Sequence, residues 1–135
     1  MALSGSFYNY PVKSFGLYCE WSASQSVTGN YSNVTLKVYL SYWDLYVGAR
    51  DDGVINIAGN SSNFSTAAIS ESSSGWKKKL IAQKTVTVYH DGNGNANCYL
   101  GASWRFSGTY SGTSIGTITA EQTVSLDKLG RSAPS

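Results

Sequence analysis

The fold is decided by residues 33–43, which read NVTLKVYLSYW. Every second position in the first part of this stretch is apolar, and the alternate positions carry polar or aromatic side chains. The apolar positions are Val34, Leu36, Val38 and Leu40. Side chains on a strand point alternately to opposite faces, so this period of two predicts a β-strand with one buried face.

The same period of two recurs along most of the chain. It is found in residues 15–26, 54–58, 96–106 and 114–126, and residues 80–90 read as a strand pair or one long bent strand. Regularly spaced short strands with turn residues between them are typical of sandwiches and barrels. The sequence therefore predicts an all-β domain, a two-sheet antiparallel β-sandwich of jelly-roll or Ig-like type with seven to eight strands.

Turn residues divide the predicted strands. Asp91-Gly92 and Asn93-Gly94 supply the positive φ angles of tight reversals, which predicts a hairpin between strands 80–90 and 96–106. Residues 59–65 are polar and 70–75 are rich in serine, so both are predicted to be loops.

The chain length of 135 residues suits one domain. We predict a binding module over residues 1–128. The polar, turn-forming residues 129–135 read as the start of a linker to a further domain.

The charge and the apolar content of the sequence argue against two kinds of partner, nucleic acid and membrane. The formal net charge is only +2, which argues against a nucleic-acid partner, because such proteins concentrate basic residues on one face. No apolar run approaches the roughly 18 residues of a membrane span, and the N-terminus lacks the pattern of a signal peptide. We therefore expect a protein made without a signal peptide, with no membrane partner.

The two cysteines and two of the four tryptophans fall in apolar phases. Cys19 and Cys98 are predicted to be buried and reduced, although a bond between them stays open if their strands face each other. Trp21 and Trp104 lie in the apolar phases of their strands and are predicted to be core residues.

Catalytic and metal-binding signals are weak. His90 is the only histidine, and a strand would point His90 and Asp91 to opposite faces, which argues against a catalytic triad. The spacing of Asp91, Asn93 and Asn95 imitates half a calcium loop, but the closing glutamate is missing. We expect no enzyme activity, no metal and no cofactor.

The remaining aromatic residues suggest a binding surface. Trp43 lies in the phase opposite to the apolar residues of its strand, together with Tyr39, and Trp76 lies in a loop. Exposed rings stack on the apolar faces of sugars, while nearby polar groups bind the hydroxyls. The alternative is that these rings cover the end of the domain or pack on a neighbour. The candidate ligand-binding residues are Trp43, Trp76, Tyr39, Tyr46, Asp44 and Arg50.

Several segments together resemble a known family. They are residues 16–26, 30–40, 85–94, 114–120 and 124–133. The most specific are the turn VYHDG at 88–92 and the exit LDKLGRS at 126–132, although the family pattern has the turn aspartate one place later. These segments resemble the β-sandwich modules of tail and baseplate proteins from phages of Gram-positive bacteria, which include carbohydrate-binding modules of distal tail proteins and minor structural proteins.

The resemblance implies host adhesion. It implies a virion protein that binds host cell-wall polysaccharide or teichoic acid, contacts other domains of a tail or baseplate protein, and is multimeric through that parent protein. It assigns no binding residues. Two alternatives stay open: a structural spacer or decoration domain of the tail, and a cell-wall-targeting module of a phage lysin. Exposure of Trp43 and Trp76 would separate adhesion from the spacer.

Overall fold

A computed structural model describes residues 3–71, 75–110 and 112–129. These residues are all-β, and no helix occurs among them. Consequently no helix in these ranges is long and apolar enough to cross a membrane. The strands are β1 (Ser4–Val12), β2 (Phe15–Ser26), β3 (Tyr31–Tyr42), β4 (Leu45–Val47), β5 (Arg50–Ile57), β6 (Asn60–Thr66), β7 (Ile69–Glu71), β8 (Lys77–Tyr89), β9 (Asn97–Tyr110) and β10 (Thr113–Ser125).

The strands form antiparallel sheets. The first sheet has the strand order β1-β2-β3-β8, and the second has the order β10-β9-β5-β6. Strands β4 and β7 pair as a short ribbon. The prediction of an all-β antiparallel structure is confirmed.

Residues from both large sheets contribute to one hydrophobic cluster. In β3 the predicted apolar phase, from Val34 to Leu40, is fully buried. Trp21 and Trp104 are buried as predicted, and Trp104 packs edge-on against Phe15 at 6.0 Å. The Trp104 indole N–H donates to the Thr66 hydroxyl at 3.2 Å, which satisfies its one polar group inside the core.

Two long strands lie where the sequence predicted none. Strand β1 was missed because Phe7 is its one buried side chain, so its alternation is faint. Strand β6 occupies residues predicted to be a loop, and it lies at the edge of the second sheet with mostly exposed polar side chains. With the β4–β7 ribbon, the described residues form ten strands instead of the predicted seven to eight.

The hairpin predicted at residues 90–96 is wrong. Strand β8 pairs with β3 in the first sheet, whereas β9 pairs with β10 and β5 in the second, so this turn crosses between sheets. Its local chemistry is that of a tight turn: Asp91 Oδ1 accepts the backbone N–H groups of Asn93 and Asn95 at 2.9 Å. Turn residues reverse the chain, but they do not determine whether the two arms pair.

The buried side chain of His90 stabilises this turn through its two ring nitrogens. It is 5% exposed, its Nδ1 lies 2.8 Å from the Gly94 carbonyl, and its Nε2 lies 2.6 Å from the Ser32 hydroxyl. A carbonyl only accepts, so Nδ1 donates to Gly94 O, and in the neutral ring Nε2 accepts from the Ser32 hydroxyl. Both ring nitrogens are therefore used in fixing the turn to β3.

The body of the domain reaches Leu129. This side chain is 1% exposed, and its backbone N–H donates to Gly94 O at 3.0 Å. The rest of the predicted linker, residues 130–135, lies outside the described residues.

Cys19 and Cys98 are free and buried, and burial raises the pKa of their thiols to about 12 and about 11. Burial and the neighbouring Asp44 raise the pKa of Tyr110 to about 12. In each case the folded state holds its proton more tightly than the unfolded chain, whose thiols titrate near 8.5 and tyrosines near 10. The stability that these neutral groups contribute is complete below the unfolded pKa and is lost as the pH rises toward the folded value.

We therefore expect the free energy of unfolding to fall by about 3–4 kcal/mol between pH 8 and pH 10, mainly through the two thiols. Urea unfolding under reducing conditions at several pH values measures this fall. The double variant Cys19→Ala, Cys98→Ala is the control, because it should begin less stable and lose most of the slope. A wild-type free energy that stays constant over this range would contradict the prediction.

Candidate binding site

The outer face of the first sheet carries tyrosines in register. Tyr8 of β1 pairs with Tyr18 of β2, Tyr18 pairs with Tyr39 of β3, and Tyr39 pairs with Leu80 of β8. Tyr8, Tyr18 and Tyr39 belong to the phase opposite to the buried residues of their strands, so the alternation that builds the core also aligns them outside it. Leu80 comes opposite Tyr39 through a register shift in the pairing of β3 with β8. A band of tyrosine and leucine side chains therefore crosses the whole sheet.

A row of rings extends this band past the sheet. We define the aromatic row as Trp43, Trp76, Tyr10, Tyr8 and Tyr18. Successive ring centroids are 6.2, 6.0, 5.5 and 6.3 Å apart, and all but the last pair meet edge to face. Such geometry is favourable for aromatic pairs. It holds each ring in place while large parts of Tyr8 (64%), Trp76 (54%) and Trp43 (43%) stay exposed.

The aromatic row borders a groove of about 560 Å³. We call it the aromatic groove; its lining residues are Tyr8, Tyr10, Lys13, Tyr18, Ser41, Trp76, Lys77 and Lys78. This volume is in the range of small-molecule sites. The lining combines ring faces with ammonium and hydroxyl groups, so a ligand in the groove would meet both apolar and hydrogen-bonding surface.

Lys78 is held over the rings. Its Nζ lies 4.9 Å from the ring centroid of Tyr18 and 4.7 Å from that of Tyr39, and it donates to Glu20 Oε1 at 2.6 Å. The hydrogen bond to Glu20 raises the pKa of Lys78. Lys78 therefore stays charged at neutral pH and links Tyr39 to the aromatic groove.

The backbone at Trp43 is held in place by hydrogen bonds of Trp43 itself and of the next residue, Asp44. Its backbone N–H donates to Ser14 O at 2.9 Å, which ties the end of β3 to the β1–β2 turn. The next residue, Asp44, is fixed by the Tyr110 hydroxyl, which lies 2.7 Å from its carbonyl and 2.8 Å from its carboxylate. These hydrogen bonds fix the backbone that carries the Trp43 side chain.

The structure brings three of the six predicted residues together. Trp76 lines the aromatic groove, Trp43 contacts the Trp76 ring, and Tyr39 lies under Lys78, which also lines the groove. Asp44 is engaged with Tyr110 instead. Arg50 donates from Nε to Phe106 O at 2.8 Å and from Nη1 to Ala49 O at 3.1 Å, at a separate surface depression.

Tyr46 lies on the β4–β7 ribbon and is 62% exposed. Within the described ranges, no ring contact joins it to the aromatic row. The structure therefore places Tyr46, like Asp44 and Arg50, outside the groove.

Sequence reasoning missed Tyr8, Tyr10 and Tyr18. The signal for Tyr18 was present, since it lies in the polar phase of a correctly predicted strand. Tyr8 and Tyr10 also alternate with Phe7, but they lie in β1, which was not predicted to be a strand. Their place beside Trp76 depends on the pairing of β1 with β2, which no local pattern specifies.

In the part of the chain that the structure describes, no three His, Cys, Asp or Glu side chains cluster closely enough to hold a metal ion.

Comparison with known proteins finds no matching family model, no significantly similar curated protein and no similar solved structure.

Proposed function

We propose that this chain is a non-catalytic carbohydrate-binding module that adheres to host cell-wall polysaccharide or teichoic acid as part of a phage tail or baseplate protein. The observation that supports it best is the exposed aromatic row along the aromatic groove. The module is a two-sheet antiparallel β-sandwich, and the common hydrophobic cluster of the two large sheets supports that architecture. The viral context comes from the sequence resemblance alone.

Stacking of sugars on aromatic rings is the first physical reason to propose a saccharide ligand. One face of a pyranose carries mainly C–H groups, which pack well on an aromatic face, while its hydroxyls need hydrogen-bond partners. Trp43 and Trp76 meet at 85°, so the two indoles offer differently oriented faces to a ligand. Ser41 and Lys77 line the same groove and supply donors for hydroxyl groups.

Charge is the second reason, and it favours an anionic polymer. Lys13, Lys77 and Lys78 line the groove, and Glu20 is the only carboxylate in strands β1, β2, β3 and β8. A local excess of ammonium groups attracts phosphate or carboxylate on a glycan. Wall polymers such as teichoic acid carry that charge.

A cell-binding assay tests the function. A fluorescent fusion of the wild-type chain should be retained on Gram-positive cells of a susceptible strain and on their purified wall polysaccharide. Tyr8→Ala removes an exposed ring of the aromatic row and should reduce retention several-fold. Tyr99→Ala removes an exposed tyrosine from the second sheet and should leave retention unchanged.

Both variants should unfold at nearly the wild-type temperature, since each alters an exposed side chain. No retention of the wild type on a broad panel of strains would contradict the adhesion proposal. In that case the spacer becomes the better interpretation, with the aromatic row packing on a neighbouring domain.

A further inference from the structure

A second aromatic pair, one half-buried ring and one exposed ring, lies at the opposite end of the first sheet. Tyr31 begins β3, Tyr89 ends β8, and the two are direct cross-strand partners. Their rings meet edge to face with centroids 5.8 Å apart, and Tyr89 is 71% exposed, the largest exposed fraction of any large hydrophobic side chain described. A Cβ at Gly29 would collide with the Tyr31 ring, so this ring lies directly on the preceding turn.

This second pair shares a face with the aromatic groove. Tyr31 and Tyr39 lie in the same phase of β3, eight residues apart. At about 3.3 Å per residue they are separated by roughly 26 Å along the strand. That distance exceeds the length of a disaccharide, so only a longer chain can contact both.

The surface between the two aromatic sites is polar and not apolar. The Thr35 and Thr85 hydroxyls are hydrogen-bonded at 2.8 Å, and the Thr87 hydroxyl donates to Asn33 Oδ1 at 2.8 Å; both pairs are exposed. Hydroxyl and amide groups in a line exchange hydrogen bonds readily with sugar hydroxyls or with water. A glycan chain lying along β3 would meet partners over its whole length.

The charge of this face matches an anionic chain. Lys37 is exposed midway along β3, and Lys13 and Lys78 lie at the groove end, where Lys78 is paired with Glu20. At the other end Asp91 lines the depression beside Tyr89, and its Oδ1 accepts backbone N–H groups of the turn. Repeating phosphate or carboxylate groups would therefore find lysines at the groove and at the middle of the strand.

We propose that Tyr31 and Tyr89 form a second aromatic subsite, and that the ligand is an extended anionic polysaccharide segment lying along β3 between this subsite and the aromatic groove. This inference rests on the proposed carbohydrate binding and specifies its ligand: the interior of a charged polymer and not a single terminal sugar. Two subsites on one rigid sheet act on the same chain, so engagement of the second multiplies the affinity of the first.

The test uses anionic wall polysaccharide purified from a panel of Gram-positive strains and its size-fractionated fragments, with a neutral polysaccharide of matched length as comparison. Wild-type affinity should rise with fragment length and level off once a fragment spans both subsites. Tyr89→Ala should weaken binding of long fragments about tenfold and leave short fragments unchanged. Trp76→Ala should weaken both, and Tyr99→Ala neither.

Each contrary result has a distinct meaning. Wild-type affinity that is independent of length, or equal affinity of Tyr89→Ala and wild type for long fragments, would overturn the second subsite while leaving the proposed function intact. Equal affinity for the neutral polymer would overturn the anionic ligand. Failure of the wild type to bind any fragment would contradict the proposed function and the second subsite together.

Discussion

Replacing Trp104 with alanine is expected to lower the free energy of unfolding by about 3–5 kcal/mol, the largest stability loss that we anticipate from a single substitution in this chain. Trp104 is 0% exposed and packs against Phe15 and Phe106 at 6.0 and 5.9 Å. Its removal leaves a cavity between rings that cannot collapse to fill it, and it also removes the donor to Thr66. Equilibrium unfolding in urea measures the loss.

Trp43→Ala is the matched control for this prediction. Trp43 is 43% exposed and contacts the solvent-exposed ring of Trp76, so its replacement should change the free energy of unfolding by less than about 1 kcal/mol. Equal losses for the two tryptophans would mean that the core is not centred where the structure places it.

Replacing Trp76 with alanine is expected to weaken saccharide binding at least about tenfold, or about 1.4 kcal/mol. Trp76 is an interior member of the aromatic row, since its ring contacts both Tyr10 and Trp43. Its loss removes one stacking face and also leaves two neighbouring rings without the partner that orients them. Isothermal titration with purified wall polysaccharide measures the change.

Trp76→Phe separates the two contributions. A phenyl ring keeps an edge-to-face partner for Tyr10 but offers a smaller face to a sugar, so this variant should bind with intermediate affinity. Wild-type affinity in Trp76→Ala, with the fold intact, would exclude Trp76 from the site.

The strands with a clear apolar phase were predictable from local pattern, and two edge strands without one, β1 and β6, were not. Every second side chain is buried from Phe15 to Trp21 in β2 and from Ser32 to Tyr42 in β3, and the period of two predicts this. Strands β1 and β6 lie at sheet edges, where exposed polar side chains leave little alternation to detect. The turn at Asp91 was recognised by its residues, but the assignment of β8 and β9 to different sheets depends on pairing across the whole chain.

Of the candidate site residues, too, some could be identified from the sequence and others could not. Trp43 and Tyr39 could be identified because they occupy the outer phase of an evident strand. Asp44 was chosen because it adjoins Trp43, yet its carboxylate is bound by Tyr110, which is 66 residues distant in sequence. Tyr8 and Tyr10 were missed because their contribution depends on where β1 pairs. Proximity in sequence is a poor guide to which polar groups share a surface.

Saccharide binding at the aromatic groove can be followed through the four tryptophan indole N–H signals of the wild type. Two tryptophans, Trp43 and Trp76, belong to the aromatic row, while Trp21 and Trp104 are buried and serve as internal controls. In a titration with wall polysaccharide followed by NMR, we expect the signals of Trp43 and Trp76 to shift or broaden while the buried pair stays unchanged. Saturable binding that leaves Trp43 and Trp76 unperturbed would contradict the account.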